Sequence, residues 1–130
     1  SGRISYAFNR FTFTDDSAFS GNKLPGAPEH YVNAEFKYQH PSGFSLAPSI
    51  EWVPTDYFVN SANTASNTAW SSVGLRAEWA HESRGLTLFF SGSNLLNSVH
   101  SGSVQVDNAN NAFFEPSDPR SFYAGMRWTR

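Results

Sequence analysis

The sequence predicts an all-β chain of about six antiparallel strands that form part of a transmembrane β-barrel. Three observations lead there. Apolar and polar residues alternate strictly over runs of about ten positions, the connectors alternate between long and short, and aromatic residues gather near strand ends.

The first strand begins with Ile4, Tyr6 and Phe8 on one face. Its apolar phase shifts at Phe11 and Phe13, which predicts a bulge near Asn9-Arg10. The second sets Val32, Ala34, Phe36 and Tyr38 against Asn33, Glu35, Lys37 and Gln39. The third aligns Phe44, Leu46, Pro48, Ile50 and Trp52 against Ser45, Ala47, Ser49 and Glu51, with Pro48 an imperfection for a central strand. In the fourth, Val73, Leu75, Ala77 and Trp79 oppose Ser72, Gly74, Arg76 and Glu78. Leu86, Leu88 and Phe90 mark the fifth, and Phe122, Ala124, Met126 and Trp128 against Tyr123, Gly125, Arg127 and Thr129 mark the sixth.

Alternation alone describes a soluble half-buried sheet as well as a barrel wall. The connectors separate the two. Long polar stretches at about 15–27, 57–68 and 97–118 alternate with short turns at His40-Pro41-Ser42-Gly43 and His81-Glu82-Ser83-Arg84-Gly85. Outer-membrane barrels have this rhythm, with short periplasmic turns and long extracellular loops. Tyr38, Phe44, Trp79 and Trp128 then fall at the short-turn end as one interfacial girdle.

Composition agrees with embedding. Aromatic residues reach 16%, and charged residues only 15% where about a quarter is usual. A formal net charge of -2 with scattered cations gives no footprint for nucleic acid, and without cysteine neither a disulfide framework nor a thiolate metal site can form. No apolar run reaches the roughly 20 residues of a membrane-spanning helix. Ser1-Gly2-Arg3 runs almost directly into a strand, so any signal peptide is expected upstream. About six strands fall short of the eight in the smallest single-chain barrels, and raw sheet edges in a bilayer leave backbone groups unsatisfied. The chain is therefore expected to be a fragment.

No candidate for catalysis emerges. There is no Gly-x-Ser-x-Gly elbow, phosphate-cradling loop or His-Glu-x-x-His pair, and His30, His40, His81 and His100 read as solvated turn residues. Glu35, Glu51 and Glu78 share a face with Lys37 and Arg76, more the mark of a charge-balanced wall than of a glycosidase pair. Asp107-Asn108-Ala109-Asn110-Asn111 with Glu115 lacks the central glycine of a calcium loop and reads as an Asn-rich surface loop. Neither cofactor nor metal is expected, and the chain is not expected to be an enzyme. Aromatics near loop ends, Tyr57, Phe58, Phe113 and Phe114, are the candidate ligand-facing residues, because planar rings in extracellular loops suit large planar chelates.

Gly21-Asn22-Lys23-Leu24-Pro25-Gly26-Ala27-Pro28-Glu29-His30 resembles the Gly-Asn-x-Leu-Pro-x-x-Pro-x-His stretch of TonB-dependent outer-membrane receptors. Ser93-Asn94-Leu95-Leu96-Asn97 is similar to their Asn-Leu-Phe/Leu-Asp/Asn element. Phe113-Phe114-Glu115-Pro116, with Pro119 through Trp128, is similar to their closing strand. The resemblance covers essentially the whole chain, residues 1–130. It implies the C-terminal portion of a plugged barrel of about 22 strands, with the plug and upstream strands absent here. Its departure is the end, Trp128-Thr129-Arg130, where such barrels usually finish on an aromatic residue. The implied function is TonB-dependent uptake, in the bacterial outer membrane, of a scarce nutrient such as a ferric siderophore, another metal chelate or a cofactor. The implied partners are the remaining barrel strands and plug, the TonB complex reached through that plug, membrane lipid and a small-molecule ligand. The alternative is a soluble β-sandwich module that stacks exposed aromatics on carbohydrate.

Overall fold

The computed structural model describes residues 1–110 and 114–129. The strands in chain order are β1 (Gly2–Phe8), β2 (His30–Phe36), β3 (Tyr38–Gln39), β4 (Phe44–Val53), β5 (Tyr57–Phe58), β6 (Ser66–Asn67), β7 (Trp70–His81), β8 (Leu86–Ser93), β9 (Ser101–Val104), β10 (Phe114–Pro116) and β11 (Ser121–Trp128). A single 3-10 turn, Glu82–Arg84, joins β7 to β8. The main sheet runs β1-β2-β4-β7-β8-β11 with β3 pairing β4, and every pairing is antiparallel. These are the six spans that the alternation predicts. The sheet is open, with β1 and β11 at its edges.

Register assembles the alternating residues into two chemically distinct faces. Phe44 sits opposite Trp79, Trp79 opposite Leu88, and Leu88 opposite Met126. Ile50 lies between Ala34 and Val73, and Tyr6 faces Val32. This apolar face is bare: Ile4 is 79%, Phe122 61% and Met126 68% exposed, while Val53 and Val59 are the buried apolar side chains among the described residues. A soluble sandwich would cover such a face with a second sheet. None lies there among the described residues, and a wall this apolar is suited to lipid.

Charge and hydroxyl groups share the opposite face. Arg3 sits opposite Glu35, Asn33 opposite Glu51, Ser45 opposite Glu78, and Arg76 opposite Ser91. Aromatics interrupt it, among them Phe89 and Tyr123, with ring centroids 5.8 Å apart. The Phe89 ring occupies the space that a Cβ on Gly125 would fill. A glycine thereby gains the apolar cover its own side chain cannot supply.

Pro48 does lie in a central strand, and the ladder yields there. Its pairing with Leu75 in β7 is unbroken, but on the other side Phe36, which the register would set opposite Pro48, ends β2 before β3 resumes at Tyr38. A strand residue points its N–H and C=O at the same neighbour, so the missing proline donor splits the β2–β3 edge. The expected irregularity near Asn9-Arg10 also has a different seat. Phe8 pairs with His30, yet Thr12 pairs with Lys23 rather than with Gly26, which an uninterrupted register would give. The extra residues lie on the returning strand, where Pro25 and Pro28 lack ladder donors, and not on the Asn9 side.

Candidate functional site

Topology brings the connectors 9–29, 54–69 and 94–120 to one end of the sheet and the turns at 40–43 and 82–85 to the other. The long connectors are knit to one another. The Asn22 amide donates to the Ser61 carbonyl at 2.9 Å. The Lys23 amide donates to Asn63 Oδ1 at 2.6 Å, and Asn63 Nδ2 returns a bond to the Lys23 carbonyl at 2.8 Å. Gly26 N–H donates to the Phe58 carbonyl at 2.7 Å. Its φ of 77° and the Val106 side chain packed where a Cβ would stand both require glycine.

Asp107 ties the third connector to the second. Its carboxylate accepts the Ser61 amide at 2.7 Å and the Ser61 hydroxyl, while its own amide donates to the Val59 carbonyl at 3.2 Å. The hydroxyl bond first, and then the amide bond, hold the Asp107 carboxyl below its ordinary range, against a smaller opposing effect of desolvation. His100 lies flat on Trp70, with ring centroids 4.2 Å apart and planes 9° from parallel, so the third connector folds back over the polar face at the mouth. Glu29 is the local charge centre, with Lys23 Nζ at 3.3 Å and Arg10 Nε at 4.0 Å.

Tyr57 and Phe58 form one strand of the β5–β6 hairpin. Both are half-buried, and the Tyr57 hydroxyl accepts Asn67 Nδ2 at 2.8 Å. They line a cleft with Asn9, Phe11, Leu24 and Glu29 whose free volume is about 20 Å³. That admits one water at most. Phe114 stands apart, 47% exposed, on the β9–β10 hairpin, and Phe113 lies outside the described residues. The hairpins thus hold the Tyr57–Phe58 pair and Phe114 on different supports. Loop apolar residues that periodicity could not single out, Val99 at 95% and Leu96 at 68% exposed, extend this surface.

In the Asn-rich loop, the described side chains of Asp107 and Asn108 bond to protein groups. Asp107 is taken by Ser61, Asn108 Nδ2 donates to Gln105, and Gln105 Nε2 donates to Glu115 at 3.0 Å. Among the described residues no three metal-ligating side chains converge. His40 is exposed in the first turn, whereas His30 and His81 sit at strand ends and, like His100, are half-buried; each ring also lies by an aromatic one: His30 by Tyr6 and Phe8, His40 by Tyr38, His81 by Trp79, and His100 by Trp70. At the short-turn end, Phe44 and Trp79 are direct cross-strand neighbours, Tyr38 faces Leu46 one row deeper, and Trp128 faces Leu86 at the rim.

Two comparisons bear on this arrangement. A family model described as "TonB dependent receptor-like, beta-barrel" matches residues 1–95. The crystal structure of BauA, the ferric preacinetobactin receptor from Acinetobacter baumannii, superposes at a TM-score of 0.65 with 20% sequence identity, covering 96% of this chain and 19% of that one. The chain therefore spans about a fifth of the length of that solved receptor.

Proposed function

The chain belongs to the TonB-dependent receptor-like β-barrel family, and on that premise we propose that it supplies the C-terminal strands of a receptor that imports a scarce nutrient. Barrels of this family are bacterial outer-membrane proteins; they are receptors and transporters, not enzymes. The observation that carries the reading is the sheet itself: one bare apolar face, one charged face, and three long connectors knit at a single end. A lipid-facing outside, a wet inside and a preformed outer loop surface are what capture and passage of a polar ligand require.

In this reading the upstream strands close the barrel against the β1 and β11 edges, and a plug fills the lumen. Energy arrives through the plug from TonB. The substrate is a ferric siderophore, another metal chelate or a cofactor, met first by aromatic loop residues such as Tyr57, Phe58, Phe113 and Phe114. Because the Tyr57–Phe58 cleft admits one water at most, ligand contact there needs either their exposed edges or a shift of the β5–β6 hairpin.

The test is uptake by the complete protein in an outer membrane, with a panel of radiolabelled ferric chelates, in cells with and without TonB. Saturable uptake of at least one chelate that disappears without TonB is the expected result. Uptake indifferent to TonB, or no binding of any chelate by the purified barrel, would overturn the reading.

A further inference from the structure

The two short turns repeat one design. Tyr38-x-His40-x-Ser42 leads into Gly43, and Trp79-x-His81-x-Ser83 leads, one residue later, into Gly85. In each, the histidine Nδ1 meets the serine hydroxyl, at 2.8 Å for His40 and Ser42 and 3.0 Å for His81 and Ser83. Each ring also packs on the aromatic residue two positions before it, at centroid distances of 6.3 Å and 5.5 Å. Each glycine adopts positive φ, 86° and 60°, and its carbonyl accepts a backbone amide across the sheet, Ala80 of β7 on Gly43 at 2.9 Å and Thr129, just past β11, on Gly85 at 2.8 Å. The turns are thus two copies of one device, and the first is bonded to the strand that leads into the second.

The Ser42 amide donates to His40 Nδ1 at 3.2 Å. An amide can only donate, so Nδ1 is an acceptor and the proton of the neutral ring sits on Nε2. Neither His40 Nε2 nor His81 Nε2 has a protein partner among the described residues. Both histidines continue the parity of the lipid-facing rows, Phe36-Tyr38-His40 and Ala77-Trp79-His81, at the strand ends where the apolar band stops. Side chains there look out at the level of lipid headgroups, whose phosphate oxygens accept hydrogen bonds. Glu82 and Arg84 lie exposed in the second turn beside His81.

We propose that the two turns form a paired headgroup site, in which His40 and His81 each donate Nε2–H to a phosphate oxygen of a phospholipid seated at the short-turn rim. The Ser42 amide fixes the tautomer of His40, the Ser83 hydroxyl donates to Nδ1 of His81 in the same arrangement, and the aromatic rings lie against the upper acyl chain. This rests on placement of the barrel in the outer membrane and not on what the barrel transports, so an H40A/H81A variant retains uptake even where it loses lipid.

The test uses the complete protein, folded in bilayers of phosphatidylethanolamine and phosphatidylglycerol. Retained phospholipid is counted by native mass spectrometry after extraction. H40A/H81A loses lipid that the wild type keeps, and H40Q/H81Q, whose amide places a donor near Nε2, keeps it; heat-resistant electrophoretic migration checks folding. On the wild type alone, with labelled histidine nitrogen, solid-state NMR reads a nitrogen–phosphorus contact in bilayers that is absent in micelles supplied with inorganic phosphate. Equal retention in all three proteins overturns the proposal by making the bonds turn caps only. An equal contact with inorganic phosphate overturns its assignment to lipid.

Discussion

Asn63, Asn94, Asn97 and Asp107 are the non-glycine residues with left-handed backbone among those described. Their short polar side chains tolerate that conformation by bonding to nearby backbone, and here they also carry the loop knit. Asn94, 6% exposed, accepts the Ser98 amide at 2.9 Å and donates to the Ser98 and Asp118 carbonyls at 2.9 and 3.1 Å. Asn94→Ala leaves those groups unpaired and keeps an unfavourable φ, so it should lower stability by about 2 kcal/mol in denaturant unfolding of the lipid-folded protein. Asp107 gives a pH test with a definite sign. Its carboxyl is held below the ordinary range in the folded state, so its contribution is fully present above the unfolded pKa and is lost as pH falls through the folded one. Amide exchange at Ser61, whose N–H Asp107 accepts, should therefore accelerate on acidification below the ordinary carboxylate pKa of about 4, after correction for intrinsic rates. Asp107→Ala should show the fast exchange already at neutral pH, and protection unchanged in that variant would remove Asp107 from the knit.

At the scale of elements, Pro48 gives the clearest stability prediction. Pro48→Val returns the donor that β4 withholds from β2 and places a β-branched side chain on the apolar face, joining β2 to β3. It should stabilise the barrel by about 1 kcal/mol, read as a shifted unfolding midpoint with unchanged slope. The six long spans were legible because one face is apolar, the other polar, and the period of two leaves only one way to orient each strand. The hairpins β5–β6 and β9–β10 were not, since strands of two to four residues carry no measurable period. Nor was the knit legible: Asn22 and Ser61 are 39 residues apart, and Ser61 and Asp107 46, and Asn, Ser and Asp are ordinary loop residues until the fold brings them together. The Gly21–His30 stretch supplies several of those ties, through Asn22, Lys23 and Gly26. The paired turns were present as residues, but their likeness became visible only when Gly43 and Gly85 were seen to meet the neighbouring strand in the same way. A Cβ at either glycine would overlap a carbonyl oxygen, of Ala80 or of Thr129.

For the whole molecule, the deciding property is that its two faces have different solvents, and substitution of the same residue on each face tests it. Leu75 lies on the apolar face in mid-sheet, between Pro48 and Gly92, well inside the rows that end at Trp79. Ser45 lies on the opposite face, directly across from Glu78. If the apolar face meets lipid, Leu75→Arg places a charge at the depth where it costs about 2–4 kcal/mol, whereas Ser45→Arg enters a wet, charged wall beside a carboxylate and should be neutral within about 0.5 kcal/mol. Leu88→Arg, in the Trp79 row nearer the rim, should fall between them, because the penalty decreases toward the interface and the long cation can reach the headgroups. The measurement is reversible denaturant unfolding of the complete protein in phospholipid vesicles. A soluble sheet flanked by water on both sides would not produce this ordering, since an exposed leucine replaced by arginine there costs little and depth has no meaning. The graded series Leu75, Leu88, Ser45 therefore reads the bilayer directly from the energetics of the wall, independently of any ligand.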